Sequence, residues 1–350
     1  MDFGAENPLT PMLAKAVDAV PEPDSVPGGL SYEPKWDGFR AIVYFDGCDV
    51  QIGSRGSKPL TRYFPELVST LAEQLPGPCV LDGEIVVRVG AERHERLDWE
   101  ALSQRIHPAE SRIARLAVET PAAFVAFDLL AKDGESLLGE PFEARRAALE
   151  LMLAAAVAPL HLTQVTRDVA LARRWLDEFE GAGLDGVVSK PLAAAYAPGK
   201  RVMFKTKHAR TADVVLVGYR VHKSGQGVGS LLLGLFDADG ELQNVGGASA
   251  FTDARRLELV DELAPLVITD ASGNTVKGER ERNRFSGGRD TSFVRLEPTR
   301  VVEVRYDQME GMRFRHSAQF FRWRPDRDAR SCTFEQLDRP IVYDLGDVLV

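Results

Sequence analysis

The segment YEPKWDGFR places Lys35 directly after a predicted strand and beside an aspartate and a glycine. A lysine amine attacks an electrophile only when it is neutral, so burial or nearby positive charge must lower its ordinary pKa of about 10.4. The glycine would let the backbone approach a ligand closely. Lys35 is therefore a candidate nucleophile, although the segment alone is explained more simply by a surface lysine in a turn.

Five further segments place charged or aromatic residues at or near predicted strand ends, in the order SRGSKPLTRYFPEL, LDGEIV, FVAFDLL, LDGVVSK and FKTK. Cations can bind phosphates, carboxylates can bind a ribose or a metal, and an aromatic ring can stack on a base. The candidates for these roles are Arg40, Arg55, Lys190, Lys205 and Lys207 for phosphate, Glu84 and Asp185 for ribose or metal, and Phe127 for stacking. Each also has a simpler structural explanation, since Phe127 has the periodicity of a core residue and Glu84 could merely end a strand.

Taken in order, these segments resemble the motifs of the covalent nucleotidyltransferase superfamily, which includes ATP-dependent DNA ligases, RNA ligases and mRNA capping enzymes. KWDGFR resembles the nucleotidyl-lysine motif, SRGS the next motif, LDGEIV the third, FVAFDLL the adenine-stacking strand, LDGVVSK the fourth and FKTK the fifth. The resemblance covers nearly the whole chain and is closest to the compact bacterial C-type ATP-dependent DNA ligases.

This resemblance implies a role for each matching residue. Lys35 would form the phosphoramidate to AMP, and the backbone at Glu33 would read the adenine edge. Glu84 would bind the ribose and Phe127 would stack on adenine.

The remaining matches concern phosphates. Arg40 and Arg55 would contact the nucleotide and the nick phosphates, so Arg55 is also a predicted DNA contact. Lys190 is assigned to the nucleotide, and Lys205 and Lys207 would grip the α-phosphate.

The resemblance implies ATP as cosubstrate and Mg²⁺ (or Mn²⁺) as the metal. The candidate metal ligands are Asp37, Glu84 and Asp185. Most ligases carry Glu in the fourth motif, where this sequence has Asp185, which is one methylene shorter. Its metal contact is left open between a direct, a water-bridged and a displaced arrangement.

The alternation of strands and helices predicts an α+β fold for the first half, with mixed and antiparallel sheets. AIVYFDGCDVQI predicts a hairpin that turns at Asp46 and Gly47, and DVALARRWLDEFEGAG predicts a helix that begins at Asp168 and ends near Gly183. CVLDGEIVV, AFVAFDLL and GVVSK are predicted strands, and FEARRAALELML is a predicted helix.

The second half is rich in strand patterns, with one clear helix, and resembles the oligonucleotide-binding (OB-fold) β-barrel of the family. We expect an adenylation domain at 1–207, a hinge at 208–212 and the barrel at 213–350. FRWRPDR resembles the sixth ligase motif, which orients the leaving pyrophosphate through Arg324, Asp326 and Arg327, with Arg322 as a DNA contact. GERERNRFSGGRD is a predicted loop.

Composition limits the alternatives. A net charge of −9 argues against a general polyanion-binding protein, yet 14 Lys or Arg stand against 9 Asp or Glu between Lys277 and Arg330. Three isolated cysteines cannot build a disulfide framework or a C-x-x-C zinc site. With no secretory signal and no run of 18 apolar residues, we expect a cytoplasmic, nucleoid-associated bacterial protein that is not in a membrane.

The resulting prediction is an ATP-dependent DNA ligase that seals nicked duplex DNA through lysyl-AMP and DNA-adenylate intermediates, as a monomer, in repair with unidentified partner proteins. An RNA ligase or a capping-type guanylyltransferase is the alternative within the superfamily. SRGSKPLTRYFPEL and RWRPDR favour a DNA ligase. A non-catalytic nucleic-acid-binding scaffold would not need Lys35, Glu84 and the two lysines of FKTK.

Overall fold

The computed structural model describes residues 7–56, 58–91, 93–208, 210–279, 292–337 and 343–349. The chain separates into two compact units, Met1–Lys207 with Pro340–Val350, and His208–Arg339. The sequence analysis placed residues 340–350 in the second domain. They instead belong to the first unit, because Leu345 and Val348 are buried in its apolar cluster.

The first unit consists of short helices between longer strands. Its strands are β1 Leu13–Val17, β2 Leu30–Pro34, β3 Phe39–Phe45, β4 Val50–Ser54, β5 Cys79–Val89, β6 Arg96–Leu97, β7 Ala122–Lys132, β8 Glu135–Ser136, β9 Leu160–Leu162, β10 Val187–Pro191 and β11 Arg201–Thr206. Its α-helices are α1 Pro65–Gln74, α2 Trp99–Gln104, α3 Glu110–Glu119, α4 Phe142–Met152 and α5 Val169–Glu178.

These strands form two sheets. One has the order β1-β11-β10-β2, with only the β1-β11 pair parallel. The other follows β4-β3-β5-β7-β8, with β6 on β5 and β9 parallel to β7. Buried apolar side chains from both sheets, such as Ile42, Val80 and Met203, share one cluster, so the two sheets are held to each other by a common core.

Local sequence signals account for the turns and helix ends of this unit. The predicted hairpin is confirmed, because β3 and β4 are antiparallel neighbours. In its turn, Asp46 Oδ1 accepts hydrogen bonds from the amides of Cys48 and Asp49, and Gly47 has a φ of +102°. The predicted N-cap is also confirmed, since Asp168 Oδ1 accepts a hydrogen bond from the Ala170 amide at 2.8 Å. A short 3₁₀ turn extends α5 to Gly183, whose φ of +88° ends the helix.

The second unit is built around one bent sheet. Its strands are β12 Arg210–Val221, β13 Val228–Phe236, β14 Leu242–Ala248, β15 Lys277–Glu279, β16 Ser292–Arg295, β17 Val301–Tyr306, β18 Met309–Glu310, β19 Arg313–Phe314 and β20 Gln319–Trp323, and its α-helix is α6 Asp253–Leu263. Strands β14, β13, β12, β17 and β20 pair in that order, each antiparallel to the next.

A backbone hydrogen bond from the Ala318 amide to the Gly247 carbonyl, 2.9 Å long, joins the start of β20 to the end of β14. A parallel bridge between Ala248 and Ala318 lies beside it. The five strands therefore close into a ring, which is the arrangement of an OB-fold barrel. The α+β class and the predicted barrel are confirmed.

The structure corrects the extent of the expected hinge at 208–212. Arg210, Thr211 and Ala212 belong to β12, where each pairs with a residue of β17, and Ala212 is buried in the barrel core. Because β11 ends at Thr206 and β12 begins at Arg210, the connection between these strands is confined to residues 207–209. The predicted loop GERERNRFSGGRD lies almost entirely outside the described residues.

Among the residues that the structure describes, none of the helices combines the length and the apolar character needed to cross a bilayer.

A buried ion pair fixes α4 against β7. The Arg145 guanidinium binds both carboxylate oxygens of Asp128, at 2.8 and 2.9 Å, and both side chains are about 1% exposed. Arg145 also donates to the carbonyls of Glu140 and Ala194. Because Asp128 follows Phe127 directly in β7, this pair also fixes the strand that carries a candidate site residue.

We expect Arg145→Ala to lower the free energy of unfolding of the first unit by about 3–5 kcal/mol, because it leaves the Asp128 carboxylate buried without its partner. Urea unfolding followed by circular dichroism measures this loss. Arg174→Ala, at an exposed position on α5, is the matched control and should change stability by no more than about 0.5 kcal/mol. Equal stability of the two variants would contradict the expectation.

Candidate active site

The backbone of Lys35 is fixed by residues 185 and 186. Its amide donates to the Gly186 carbonyl at 2.8 Å, and its carbonyl accepts from the Asp185 amide at 2.9 Å. Gly186 has a φ of +121°, and a Cβ there would lie 2.0 Å from the Thr206 carbonyl oxygen. This junction therefore requires glycine, and it brings KWDGFR and LDGVVSK together.

Ammonium groups converge on the Asp185 carboxylate. Lys35 Nζ lies 2.5 Å and Lys207 Nζ 2.8 Å from the same oxygen, Asp185 Oδ2, and the Asp185 side chain is only 7% exposed. The pKa of Lys205 is lowered by burial and by the positive charges of Lys35 and Lys207. Two lysines thus share one carboxylate with a third lysine nearby, and this excess of positive charge is suited to binding a phosphate.

The four-stranded sheet presents Lys205 and Glu33 on one face. Lys205 and Glu33 both lie opposite Val188, on the strands that flank β10, so the three side chains point the same way. Burial raises the pKa of Glu33, although Lys190 acts in the other direction. Adenine recognition by the Glu33 backbone stays a prediction.

Lys190 was assigned to the nucleotide through its phosphates, and the structure gives it a different environment. Its ammonium is 3% exposed, lies 2.9 Å from Glu33 Oε2 and donates to the Phe127 carbonyl at 3.1 Å. It also lies 4.7 Å from the centroid of the Phe127 ring. These contacts tie Lys190 to Glu33 and Phe127, and its contact with the nucleotide stays a prediction.

On the other sheet, Arg40 belongs to a buried network. Its Nε and one Nη atom each lie 2.5 Å from an oxygen of Asp82, which is fully buried. The Tyr196 hydroxyl donates to the same carboxylate at 2.6 Å. Arg40 was predicted to contact phosphates, and two of its three guanidinium nitrogens donate hydrogen bonds to Asp82.

Asp82 and Tyr196 were not singled out from the sequence. Asp82 stands in LDGEIV beside Glu84, so the motif itself was a usable signal. Tyr196 lies in a loop 114 residues from Asp82 in sequence, and no local pattern marks it.

Phe127 has the environment of a core residue. It is 6% exposed and belongs to an apolar cluster, as its periodicity indicated. The Arg40 guanidinium carbon also lies 4.4 Å from its ring centroid. Stacking on adenine stays a prediction.

Glu84 lies directly opposite Arg40 in the β3-β5 ladder and accepts a hydrogen bond from the Gly38 amide at 3.2 Å. Burial raises its pKa to about 7, although Arg40 and Lys35 oppose this shift. A Cβ on Gly38 would lie 2.1 Å from the Ile85 carbonyl oxygen, so only glycine brings that amide close to Glu84. Glu84 keeps acceptor capacity for a ligand hydroxyl.

Arg55 follows β4, and its amide donates to the Arg40 carbonyl at 3.2 Å. Its exposed side chain is one of the positive charges that lower the pKa of Lys205, which places it at the same site. Within the described ranges, no three or more His, Cys, Asp or Glu side chains form a metal-binding cluster, so Asp37, Glu84 and Asp185 are not gathered into one.

The residues of FRWRPDR lie in the second unit and are paired with acids there. Arg324 contacts Asp213 at 3.0 Å and Asp326 at 2.8 Å. The Arg324 hydrogen bonds lower the pKa of Asp326 to about 2. Arg322 Nε lies 2.6 Å from Glu303, and Arg327 Nε lies 3.8 Å from Asp213.

Comparison with known proteins bears on this arrangement. The family described as "ATP dependent DNA ligase domain" matches residues 11–207, and the "ATP dependent DNA ligase C terminal region" matches residues 224–327. DNA ligase C2 of Mycolicibacterium smegmatis is 55% identical, over 97% of both chains. DNA ligase C of Mycobacterium tuberculosis is 54% identical, over 98% of this chain and 97% of its own.

A more distant relative is the multifunctional non-homologous end joining DNA repair protein LigD of Mycobacterium tuberculosis, 32% identical over 79% of this chain and 34% of its own. Among solved structures, one from a study of Lig E DNA ligases has a TM-score of 0.56 at 17% identity and covers 89% of this chain and 99% of that chain. That likeness supports the fold.

The two family matches together span most of the chain. Relatives of more than 50% identity align over nearly all of it and are named DNA ligases. The chain therefore belongs to the ATP-dependent DNA ligase family, as a compact bacterial enzyme that uses ATP as cosubstrate and acts on DNA.

Proposed function

We propose that this ligase seals nicks in duplex DNA through a lysyl-AMP enzyme and a DNA-adenylate, as a monomer acting in bacterial DNA repair. In the first step a bond forms between Lys35 Nζ and the α-phosphorus of ATP, and the bond to the pyrophosphate oxygen breaks. AMP then passes to the 5′-phosphate at the nick. The neighbouring 3′-hydroxyl displaces AMP and restores the backbone.

The observation that carries this proposal is the convergence of Lys35, Lys205 and Lys207 around Asp185. The α-phosphate of ATP would take over part of the negative charge that Asp185 now supplies to these lysines. Lys205 and Lys207 would then stabilise charge on the phosphoryl oxygens, while Lys35 loses its proton and attacks. The fixed backbone of Lys35 keeps the amine in place during this exchange.

The donor set at Asp185 also fits Mg²⁺ or Mn²⁺ bound together with the ATP phosphates, because hard cations prefer carboxylate and phosphate oxygens. Asp185 is the proposed ligand of the ion, with Glu84 and Asp37 as proposed contributors. When bound, the ion would supply Lewis-acid stabilisation of the phosphoryl charge.

The sheet that contains β3, β5 and β7 would bind the nucleoside. Ionised Glu84 would accept a hydrogen bond from a ribose hydroxyl, and the Phe127 ring would contact adenine. Arg40, held by Asp82, and the exposed Arg55 would add positive charge for the nucleotide and the nick phosphates.

In the second unit, Arg324, Asp326 and Arg327 would orient the leaving pyrophosphate, and Arg322 is a proposed DNA contact. The connection at 208–209 is the proposed hinge. A repair role is supported by the LigD relative, which is named a non-homologous end joining DNA repair protein.

The direct test is sealing of a nicked duplex that carries either DNA or RNA on the 3′ side, with ATP, GTP or NAD supplied separately. We expect sealing of the DNA nick with ATP alone. Sealing that requires an RNA 3′ side, or transfer of GMP, would favour the RNA ligase or guanylyltransferase alternative.

We expect Lys35→Ala to abolish self-adenylylation while leaving the thermal unfolding curve unchanged, because the substitution removes only the nucleophile. Incorporation of label from ATP radioactive at the α-phosphate measures the first step. Lys15→Ala, at an exposed position on β1, is the matched control and should be labelled normally. If Lys35→Ala still becomes labelled, the nucleophile has been assigned incorrectly.

Glu84 should produce two opposite pH dependences. Its pKa of about 7 lies above its ordinary value, so between about pH 4.5 and 7 the folded protein holds a proton that the unfolded chain has lost. This contribution to stability is present at low pH and disappears as the pH rises through 7. Adenylylation at limiting ATP should instead increase over the same range, since the ionised carboxylate is the better ribose acceptor.

Glu84→Gln should remove the contribution of Glu84 to both dependences. Melting temperature and adenylylation rate, measured from pH 5 to 8, test this against Glu135→Gln, a substitution at an exposed position. Titration of ATP itself affects all three proteins alike, so differences between them report on Glu84. Parallel profiles for wild type and Glu84→Gln would show that Glu84 does not ionise in this range.

A further inference from the structure

Two half-buried arginines of the second unit lie outside the sixth-motif segment. Arg220 is near the end of β12, opposite Ser230 of β13. Arg313 is on β19, and its Nη2 atom donates to Asn244 Oδ1 of β14 at 2.9 Å. β19 belongs to the β18-β19 hairpin, which connects barrel strands β17 and β20.

Their electrostatic surroundings differ from those of the arginines in FRWRPDR. Over the part of the chain that the structure describes, neither Arg220 nor Arg313 has a carboxylate within ion-pair distance. The Arg220 Nε atom is buried without a hydrogen-bond partner. Burial and the positive charge of Arg220 lower the pKa of Arg313.

Arg322 and Arg324, by contrast, contact the carboxylates of Glu303, Asp213 and Asp326. A guanidinium that has lost part of its hydration without gaining a carboxylate is unfavourable, and a bound anion relieves that cost. Arg220 and Arg313 are therefore the pair better prepared for an external anion.

Asn244, the partner of Arg313, lies on β14 opposite Gly234 of β13, so the residue paired with it carries no side chain of its own. Strands β13 and β14 are the second and third of the barrel, and the β18-β19 hairpin lies in its fourth connection. In OB-folds this face and this connection bind oligonucleotides.

We propose that Arg220 and Arg313 form a phosphate-binding surface that grips the backbone of duplex DNA on the barrel. Asn244 is a positioning residue that orients the Arg313 guanidinium. The arginine fork matches phosphate oxygens in a bidentate manner, and such contacts hold DNA at any sequence. This inference rests on the proposed function, since it names residues that hold the duplex to be sealed.

The experiment uses the full chain and a nicked duplex whose 3′ end is a dideoxynucleotide, so that it binds without being sealed. Affinity is measured by fluorescence anisotropy at several salt concentrations. We expect Arg220→Ala/Arg313→Ala to bind at least tenfold more weakly at low salt. The slope of log K against log salt should become shallower by about 2, since each lost phosphate contact contributes about 0.9.

Three comparisons make the result specific. Self-adenylylation and melting temperature of the double alanine variant should match wild type, because neither residue takes part in the first step. Arg220→Lys/Arg313→Lys should keep the wild-type salt slope, since both charges remain. Arg330→Ala should leave affinity within twofold, because this arginine is exposed and keeps its hydration, and its guanidinium donates to the Gly240 carbonyl.

Wild-type affinity and slope in the folded double alanine variant would overturn the inference, as would weaker binding with an unchanged slope. The proposed function fails separately, if the wild-type enzyme does not seal nicked duplex DNA. A wild-type enzyme that seals, combined with an unaffected double variant, would reject only the phosphate-binding surface.

Discussion

The arrangement of three ammonium groups around the Asp185 carboxylate is the constraint on which the first unit depends. Two like charges 4 Å apart repel by about 1–4 kcal/mol, depending on how much water screens them. One carboxylate offsets only part of this repulsion among Lys35, Lys205 and Lys207. The sheet backbone must offset the remaining repulsion. It does so through the two backbone hydrogen bonds of Lys35, which form because position 186 is a glycine. In the proposed function, the α-phosphate of ATP supplies the negative charge that offsets this repulsion.

The facing sheet solves a different problem with two carboxylates on one face of β5. Asp82 accepts two hydrogen bonds from Arg40 and one from Tyr196, which satisfies most of its capacity and makes it part of the framework. Glu84 has the Gly38 amide, and burial raises its pKa to about 7. Two acids separated by a single residue thus differ in role because of their partners, with one holding Arg40 and the other available to a ligand.

The sequence was a good guide to the elements and to the central cluster, and a poor guide to individual contacts. Strand alternation, the Asp46 turn and the Asp168 cap are local sequence signals. Each depends on residues a few positions apart, so the folded chain retains the predicted local structure. The environment of Lys190 could not be predicted, because a motif shows that a cation lies on β10 but not that Glu33 pairs with it from the neighbouring strand. Tyr196 could not be found, because its partner lies 114 residues away in sequence.

The same distinction governs the second unit. The excess of positive residues between Lys277 and Arg330 points to this half of the chain, but a count of charges ignores their partners. Arg322 and Arg324 lie in that stretch and are neutralised by Glu303, Asp213 and Asp326. Arg220 lies outside the stretch and has no such partner among the described residues. For a protein with a net charge of −9, affinity for DNA must come from cations whose partners are missing, and only the fold shows which these are.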